Sequence, residues 1–300
     1  SNVIRGDNEK QERKRAARRK YDAKPENRAK DIARARLWEQ SHREQVRERV
    51  RQMRADPSRK GMYARIIDEQ RNPITIKDNN VLVTSDWHIP FVNWDLVDLL
   101  GFVAREYGVR TLAVIGDFWD CDNFSKFARL TNTGNFADEC SEVGGMLRHL
   151  ISIFDEIDIS QGNHEKRWLD ILGGKTTIQQ LYDMSRVTEG YRLTLDDNIT
   201  LIQNGEKWLL CHPKNYRQTP LSVARDLAAV HGTHIYCGHG HQFAQGRDRS
   251  GKYHLLDGGG LFDKHALDYL RETTTHPETV PGFYLIQDNT PIPFTIKEAA

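Results

Sequence analysis

Side chains able to hold a metal cation recur in five short clusters: Asp86-x-His88, Gly116-Asp117-x-x-Asp120, Gly162-Asn163-His164-Glu165, His212, and Gly238-His239-x-His241. Imidazole, carboxylate and carbonyl oxygen are all ligands for divalent metals. In extended backbone, side chains at i and i+2 point the same way. His239 and His241 are therefore expected to face one point, with the flanking glycines letting the chain bend there. Taken singly, each cluster has a plain alternative: Asp86 a cap, Asn163 a turn, His212 a hydrogen-bonded core histidine. Jointly they share a position. Each follows a short apolar run, at 81–85, 112–115, 157–160, 207–210 and 233–237. Ligands in open α/β sheets bind beyond the carboxyl ends of the strands, so distant clusters can converge.

The elements that must position them are read from periodicity. Leu96, Leu99, Leu100 and Val103 lie at helical spacing, as do Val143, Leu147, Leu150, Ile151 and Phe154. Their alternation with the first three apolar runs implies parallel strands joined by right-handed crossovers. Residues 166–198 read as a helical insertion. Asn204-Gly205, between runs at 199–203 and 207–210, is a hairpin signal. A helix is expected over 221–230 and further strands over 253–256, 283–287 and 294–297. Asp257-Gly258-Gly259-Gly260 ends one of these without an assigned role.

Composition separates the chain into two parts. The whole carries a net charge of +1 over 300 residues, but residues 1–60 hold 20 Lys and Arg against 10 Asp and Glu. A basic helical extension over 1–73 is expected to precede one domain over 74–300. Within the extension, Pro25 starts a helix running to about residue 55, and 62–70 suits a second. Arg and Lys on an extended helix can neutralise phosphates, so nucleic acid is the expected partner; a merely solvated or protein-docking arm is the alternative. None of the four cysteines forms a CxxC pair, and Cys211 and Cys237 lie in apolar runs, which suits buried free thiols. No apolar run reaches the roughly 18 residues of a membrane span, and the start lacks a signal peptide's apolar core. A cytoplasmic protein without membrane contact is expected.

The five clusters, in this order, resemble the calcineurin-like metallophosphoesterase superfamily, whose pattern is DxH, GDxxD, GNH[ED], a lone His and GHxH. The resemblance spans about residues 78–262. It implies an α/β fold, a four-layer αββα sandwich, and two divalent ions. By that resemblance Asp117 bridges the ions. Asp86, His88 and His241 complete one site; Asn163, His212 and His239 complete the other. A nitrogen and oxygen donor set without thiolate suits Mn²⁺, or else Fe or Zn²⁺, better than Ca²⁺. The implied reaction is phosphoester hydrolysis by a hydroxide bridging the metals, with His164 beside the leaving group and Asp120 orienting a histidine or its loop.

Cys121 stands where protein Ser/Thr phosphatases carry Arg-Gly, which weighs against a phosphoprotein substrate. Trp87, between two ligands, is expected to face away from the metals into packing rather than serve as a base-stacking platform. Loops after the clusters carry Lys126, Arg129, Lys166, Arg167, Lys214, Tyr216 and Arg217. Lys214, Tyr216 and Arg217 lie nearest His212 in sequence and are the expected substrate contacts. With the basic arm attached, a nucleic-acid phosphodiester is the leading substrate. A phosphomonoester or small nucleotide, and a non-catalytic metal-binding scaffold, are the alternatives.

Overall fold

A computed structural model describes residues 71–126, 134–267, 270, 275 and 278–296. The expected basic helices and Arg129 lie outside these residues. The described elements run β1 (Thr75–Ile76), β2 (Asn80–Thr84), α1 (Trp94–Glu106), β3 (Thr111–Ile115), α2 (Phe136–Ile151), β4 (Glu156–Ser160), α3 (Asn163–Ile171), α4 (Ile178–Asp183) and β5 (Arg192–Thr194). They continue with β6 (Asn198–Gln203), β7 (Glu206–Cys211), α5 (Ser222–His231), β8 (His234–Cys237), β9 (Phe243–Arg247), β10 (His254–Gly258), β11 (Gly282–Gln287) and β12 (Thr290–Thr295).

The strands form two six-stranded sheets, ordered β12-β11-β2-β3-β4-β5 and β1-β6-β7-β8-β10-β9. Strands β2 to β5 are parallel, as the strand–helix alternation implies. Both sheets are nevertheless mixed, because β11 and β12 run antiparallel on one and β6/β7 and β9/β10 are antiparallel pairs in the other.

Alternation along the strands accounts for the layers. Leu82, Leu112, Val114, Ile157 and Ile159 pack with Leu96, Leu100, Val143 and Leu147 of α1 and α2. The intervening residues Val81, Val83, Ala113 and Ile115 pack instead against Ile199, Leu201, Trp208, Leu210, Tyr236 and Leu256 of the second sheet. On that sheet's far face, Cys211, Ile235, Cys237 and Leu255 meet Ala224 and Ala228 of α5. The order of layers is helix, sheet, sheet, helix. Strands buried on both faces carry apolar residues at successive positions, so β2 and β3 read as continuous apolar runs. Asp158 interrupts that pattern in β4; it is buried and accepts two hydrogen bonds from Arg192 of β5, at 2.6 and 2.7 Å.

Helix boundaries follow local chemistry. Asn93 caps α1 by accepting from Leu96 N–H, and Asn135 caps α2 by accepting from Asp138 N–H. The β6–β7 hairpin turns through Asn204 (φ 49°) and Gly205 (φ 81°), the two left-handed residues that this tight turn requires. The region 166–198 differs from expectation. It holds two helices but ends in β5, which extends the first sheet beyond β4. The last strand also begins earlier than expected, at Thr290. All four cysteines are buried and free.

Neighbouring glycines of α2 give opposite expectations. A Cβ on Gly144 would lie 2.3 Å from the Ser185 carbonyl oxygen, whereas one on Gly145 meets nothing within 4 Å. Gly145→Ala should stabilise the fold by about 0.5–1 kcal/mol through helix propensity. Gly144→Ala should destabilise it by about 1–3 kcal/mol despite the same propensity gain. Urea denaturation of the two variants checks both signs.

Candidate metal centre

The five clusters meet where the carboxyl ends of β2, β3 and β4 in one sheet face those of β7 and β8 in the other. Backbone pairing continues past the strand ends: Asp86 N–H donates to Gly116 O, and Trp87 and His88 N–H both donate to Asp117 O. Across the sheets, His239 N–H lies 3.1 Å from both Asp86 carboxylate oxygens. Gly116 admits His212 from the opposite sheet, since a Cβ there would lie 2.6 Å from its ring.

Two groups of donor atoms able to surround a cation match the expected sites, Asp86, His88 and His241, and Asp117, His212 and His239; a third is made of His88, Asp120 and His164. His239 and His241 therefore diverge to different groups rather than facing one point. The reason is backbone conformation. His239 (φ 72°) and His241 (φ 52°) are themselves left-handed, while Gly238 and Gly240 are not. The i, i+2 rule for extended chain does not apply to them. Gly238 is needed for space instead: a Cβ there would lie within about 3 Å of His212 Nδ1, Asp86 Oδ2 and Ile115 O. Asp86 (φ 51°), His88 (φ 48°) and Asp117 (φ 50°) are left-handed as well. Strain of this kind, about 1–3 kcal/mol per residue, collects at functional sites.

Hydrogen-bonding logic tests whether a cation fits. His212 Nδ1 lies 3.1 Å from Ile115 O, which only accepts, so Nδ1 carries a proton. In the neutral ring Nε2 is then a lone pair. It points at two further acceptors, Asn163 Oδ1 at 2.9 Å and Asp117 Oδ2 at 3.2 Å. Asp117 Oδ2 is buried without a hydrogen-bond donor, while Oδ1 accepts from His164 N–H at 2.8 Å. In the other group, His88 Nδ1 is 3.0 Å from Asp120 Oδ1, and its Nε2 faces His241 Nε2 at 3.1 Å. His241 Nε2 is 3.3 Å from Asp86 Oδ1. Lone pairs converging on lone pairs are what a bound cation resolves, so these residues fit a pair of divalent ions.

The electrostatics agree at four of these residues. Burial opposes charge on Asp86 and Asp117, yet the surrounding histidines hold both below the ordinary carboxylate range, Asp86 at about 2. Burial and its histidine neighbours push His88 down to about 4 and His239 below its ordinary value, leaving both neutral, the form that binds metals. Burial would lower His212 too, but the Asp117 charge beside it prevails and raises it to about 10.

Asp120 stands between two histidines, 3.0 Å from His88 Nδ1 and 3.2 Å from His164 Nδ1. Trp87 is fully buried, donates from Nε1 to Thr84 Oγ1 and packs edge-on against Phe118, so it offers no face to a base. Of the expected substrate contacts, Tyr216 has its ring 6.5 Å from that of His239. Arg217 pairs with Asp226 of α5 at 2.9 Å, and Lys214 is exposed. Tyr216 and Arg217 line a small cleft with Pro213, Gln242 and Asp257.

Two residues matter more than their sequence context suggests. Glu165, fully buried, accepts from the N–H groups of Asp117 (3.2 Å), Phe118 (2.7 Å), Trp119 (3.1 Å) and Gly162 (2.9 Å). The available signal was its place three residues after Gly162, where a helix-opening glutamate reaches back to backbone. Arg167, one turn after His164, lies with Nη2 2.9 Å from His164 Nε2.

No family model matches the chain, and no curated protein matches it. Solved structures do. The chain is similar to Yfce, a phosphoesterase from E. coli, at 12% identity over 73% of this chain and 100% of that one, with a TM-score of 0.38. It is also similar to Vps29 of Chaetomium thermophilum, at 13% identity over 69% and 81% of the two chains (TM-score 0.38). Zn²⁺-complexed Vps29 of Entamoeba histolytica matches at 14% identity over 72% and 98% (TM-score 0.36). At TM-scores this low, these likenesses add nothing to what the site's own geometry says. The resemblance to calcineurin-like metallophosphoesterases rests on the five clusters, which the fold gathers at one end of a four-layer sandwich.

Removing the Glu165 carboxylate leaves four N–H donors without it. Glu165→Ala should lose about 3–5 kcal/mol of stability and most of its bound metal. Glu165→Gln should fall between the variant and the parent. Denaturation and elemental analysis check both. Asp257 gives a pH signature: burial pushes its carboxyl up to about 6, although it accepts from Leu221 N–H. Its unfolded value is about 4. The stability associated with the neutral form is complete below about pH 4 and is lost as pH rises through about 6. Asp257→Asn should therefore lose up to about 3 kcal/mol less than the parent between pH 4 and 7, read by urea denaturation at each pH.

Proposed function

We propose that this protein is a two-metal-dependent phosphoesterase and that its substrate is a nucleic-acid phosphodiester. The observation that carries the first part is the Asp117, Asn163 and His212 cluster, three buried or half-buried acceptors turned on one another beside His164. Two divalent ions held there would acidify a water and offset charge on the phosphoryl oxygens. The mixed nitrogen and oxygen donors favour Mn²⁺, with Fe or Zn²⁺ as alternatives.

The chain's own residues supply the rest. Asp117 keeps one oxygen on His164 N–H and leaves the other for cations. Asp120 accepts through its backbone oxygen from His164 Nδ1 at 2.7 Å, which fixes that ring's orientation. His164 Nε2 is then turned toward the metal residues, 3.8 Å from Asp117 Oδ2. From there it can donate to a departing oxygen.

The nucleic-acid part rests on the basic segment over residues 1–60, whose excess of Lys and Arg suits a phosphate backbone. No helix among the described residues is long and apolar enough to cross a membrane, and a cytoplasmic setting suits the four free thiols.

The test is a substrate panel with Mn²⁺-loaded protein: single- and double-stranded DNA, RNA, a nitrophenyl phosphate monoester and its bis-ester. Cleavage of nucleic acid and bis-ester is expected. Turnover of the monoester alone overturns the nuclease reading, and turnover of nothing overturns the enzyme. Asp117→Asn should lose both metals together. His164→Ala should retain both, with kcat lower by about 10²–10⁴-fold. Deleting residues 1–60 should weaken DNA binding and flatten its salt dependence.

A further inference from the structure

Arg167 lies on α3 three residues after His164, on the same helix face. Its side chain is one-fifth exposed, at the rim of the site. Nη2 lies 2.9 Å from His164 Nε2, and Nη1 donates to Asp120 O at 3.2 Å. A guanidinium has five N–H donors and no acceptor, so His164 Nε2 accepts from it. That is the ring nitrogen facing Asp117. A positive charge is thus held on the atom that the phosphoesterase reading places beside the leaving group.

Two other cations near the site are engaged elsewhere. Lys126 is paired with Asp170 at 3.1 Å and Arg217 with Asp226 at 2.9 Å. Among the described residues, Arg167 makes only a long ion pair of this kind, to Asp122. Its nearest carboxylate is Asp122 at 3.8 Å, beyond hydrogen-bonding distance. Two N–H donors are used on neutral acceptors, Asp120 O and His164 Nε2, leaving three. Cys121, the residue after Asp120, is a fully buried thiol, so the cation above Asp120 comes from α3 rather than from that loop.

We propose that Arg167 grips the substrate's phosphate. Its planar fork matches two non-bridging oxygens, a bidentate pairing stronger than a neutral hydrogen bond. The exchange has a consequence for His164. As the guanidinium turns to the anion, it leaves Nε2 free to take a proton from water, the proton that His164 would then pass to the leaving-group oxygen. Arg167 thereby couples phosphate arrival to the release of His164. The proposal rests on the phosphoesterase reading but is indifferent to whether the phosphate is a monoester or a diester.

The experiment measures binding of inorganic phosphate to Mn²⁺-loaded protein by calorimetry, with metal content and melting temperature recorded for each variant. Arg167→Gln is expected to keep both metals and weaken phosphate binding by about tenfold or more. Arg167→Lys should recover part of that loss, because an ammonium keeps the charge but not the fork. Arg110→Gln, whose exposed side chain pairs with Asp155, is the control and should bind phosphate like the parent. With substrate, Arg167→Gln should raise KM as well as lower kcat. Parent-like phosphate affinity in folded, metal-loaded Arg167→Gln overturns the proposal, as does a parent that binds no phosphate. Should Arg167→Gln fail to fold, Arg167→Lys decides: about threefold weaker binding or more supports the fork, and parent affinity refutes it. A parent that binds phosphate through Arg167 yet cleaves nothing would sink the phosphoesterase reading alone.

Discussion

One buried carboxylate ties the centre together. Glu165 sits in the first turn of α3 and takes N–H groups from two loops, Gly162 after β4 and Asp117 to Trp119 after β3. Burial and the neighbouring Asp117 charge raise its pKa, and the ring of N–H donors works against that rise. A buried charge is costly unless it is fully hydrogen-bonded, and here each carboxylate oxygen receives two donors. The same contacts bring Asp117 against α3, so that its Oδ1 meets His164 N–H. The helix N-terminus adds its own positive field beside Asp117. The spacing between a carboxylate on one loop and the Asn163-His164 pair on the next is therefore set by Glu165.

Around that link, the two sheets supply opposite halves of the site. The second sheet brings His212, His239 and His241 over Asp86 and Asp117 of the first. The close approach is built from small residues where side chains would collide: Gly116 under the His212 ring, Gly162 against Asp117, and Gly238 between Asp86 and His212. The ligand-bearing residues themselves absorb the sharp backbone turns. Five of the proposed ligands, Asp86, His88, Asp117, His239 and His241, are left-handed. An isolated loop would not hold such conformations. They persist because a doubly buried strand leads into each loop and cross-loop bonds, such as Asp86 N–H to Gly116 O, fix where it goes.

How much of this was legible in the sequence follows from how local each signal is. The parallel strands β2, β3 and β4 were legible because burial on both faces leaves continuous apolar runs, and the site residues because each follows such a run. Strands β1, β5 and β9 were not. Arg192-Leu193-Thr194 is short, and its main tie is the ion pair to Asp158, 34 residues away. Phe243 to Arg247 is an edge strand without alternation and interrupted by Gly246. The separate destinations of His239 and His241 were hidden because spacing assumes a backbone conformation that both residues leave. Glu165 and Arg167 stood in view beside a recognisable cluster. The four N–H groups that give Glu165 its role lie mostly 46–48 residues upstream, and a sequence does not display hydrogen bonds of that span.

The donor arrangement also fixes a competition at the second group. With Nδ1 committed to Ile115 O, His212 can satisfy its converging neighbours in one of two ways: Nε2 takes a proton and donates to Asp117 Oδ2, or it keeps its lone pair for a cation. The elevated affinity for a proton, up to about 10, comes from Asp117 prevailing over burial. The same negative charge attracts a divalent ion more strongly than a single proton. His88 is the contrasting case: burial and neighbouring histidines push it down to about 4, so its Nε2 lone pair is already exposed to an incoming ion at neutral pH. One group is therefore ready for a cation as it stands. The other must give up a proton to receive one, and its metal affinity carries the steeper dependence on pH.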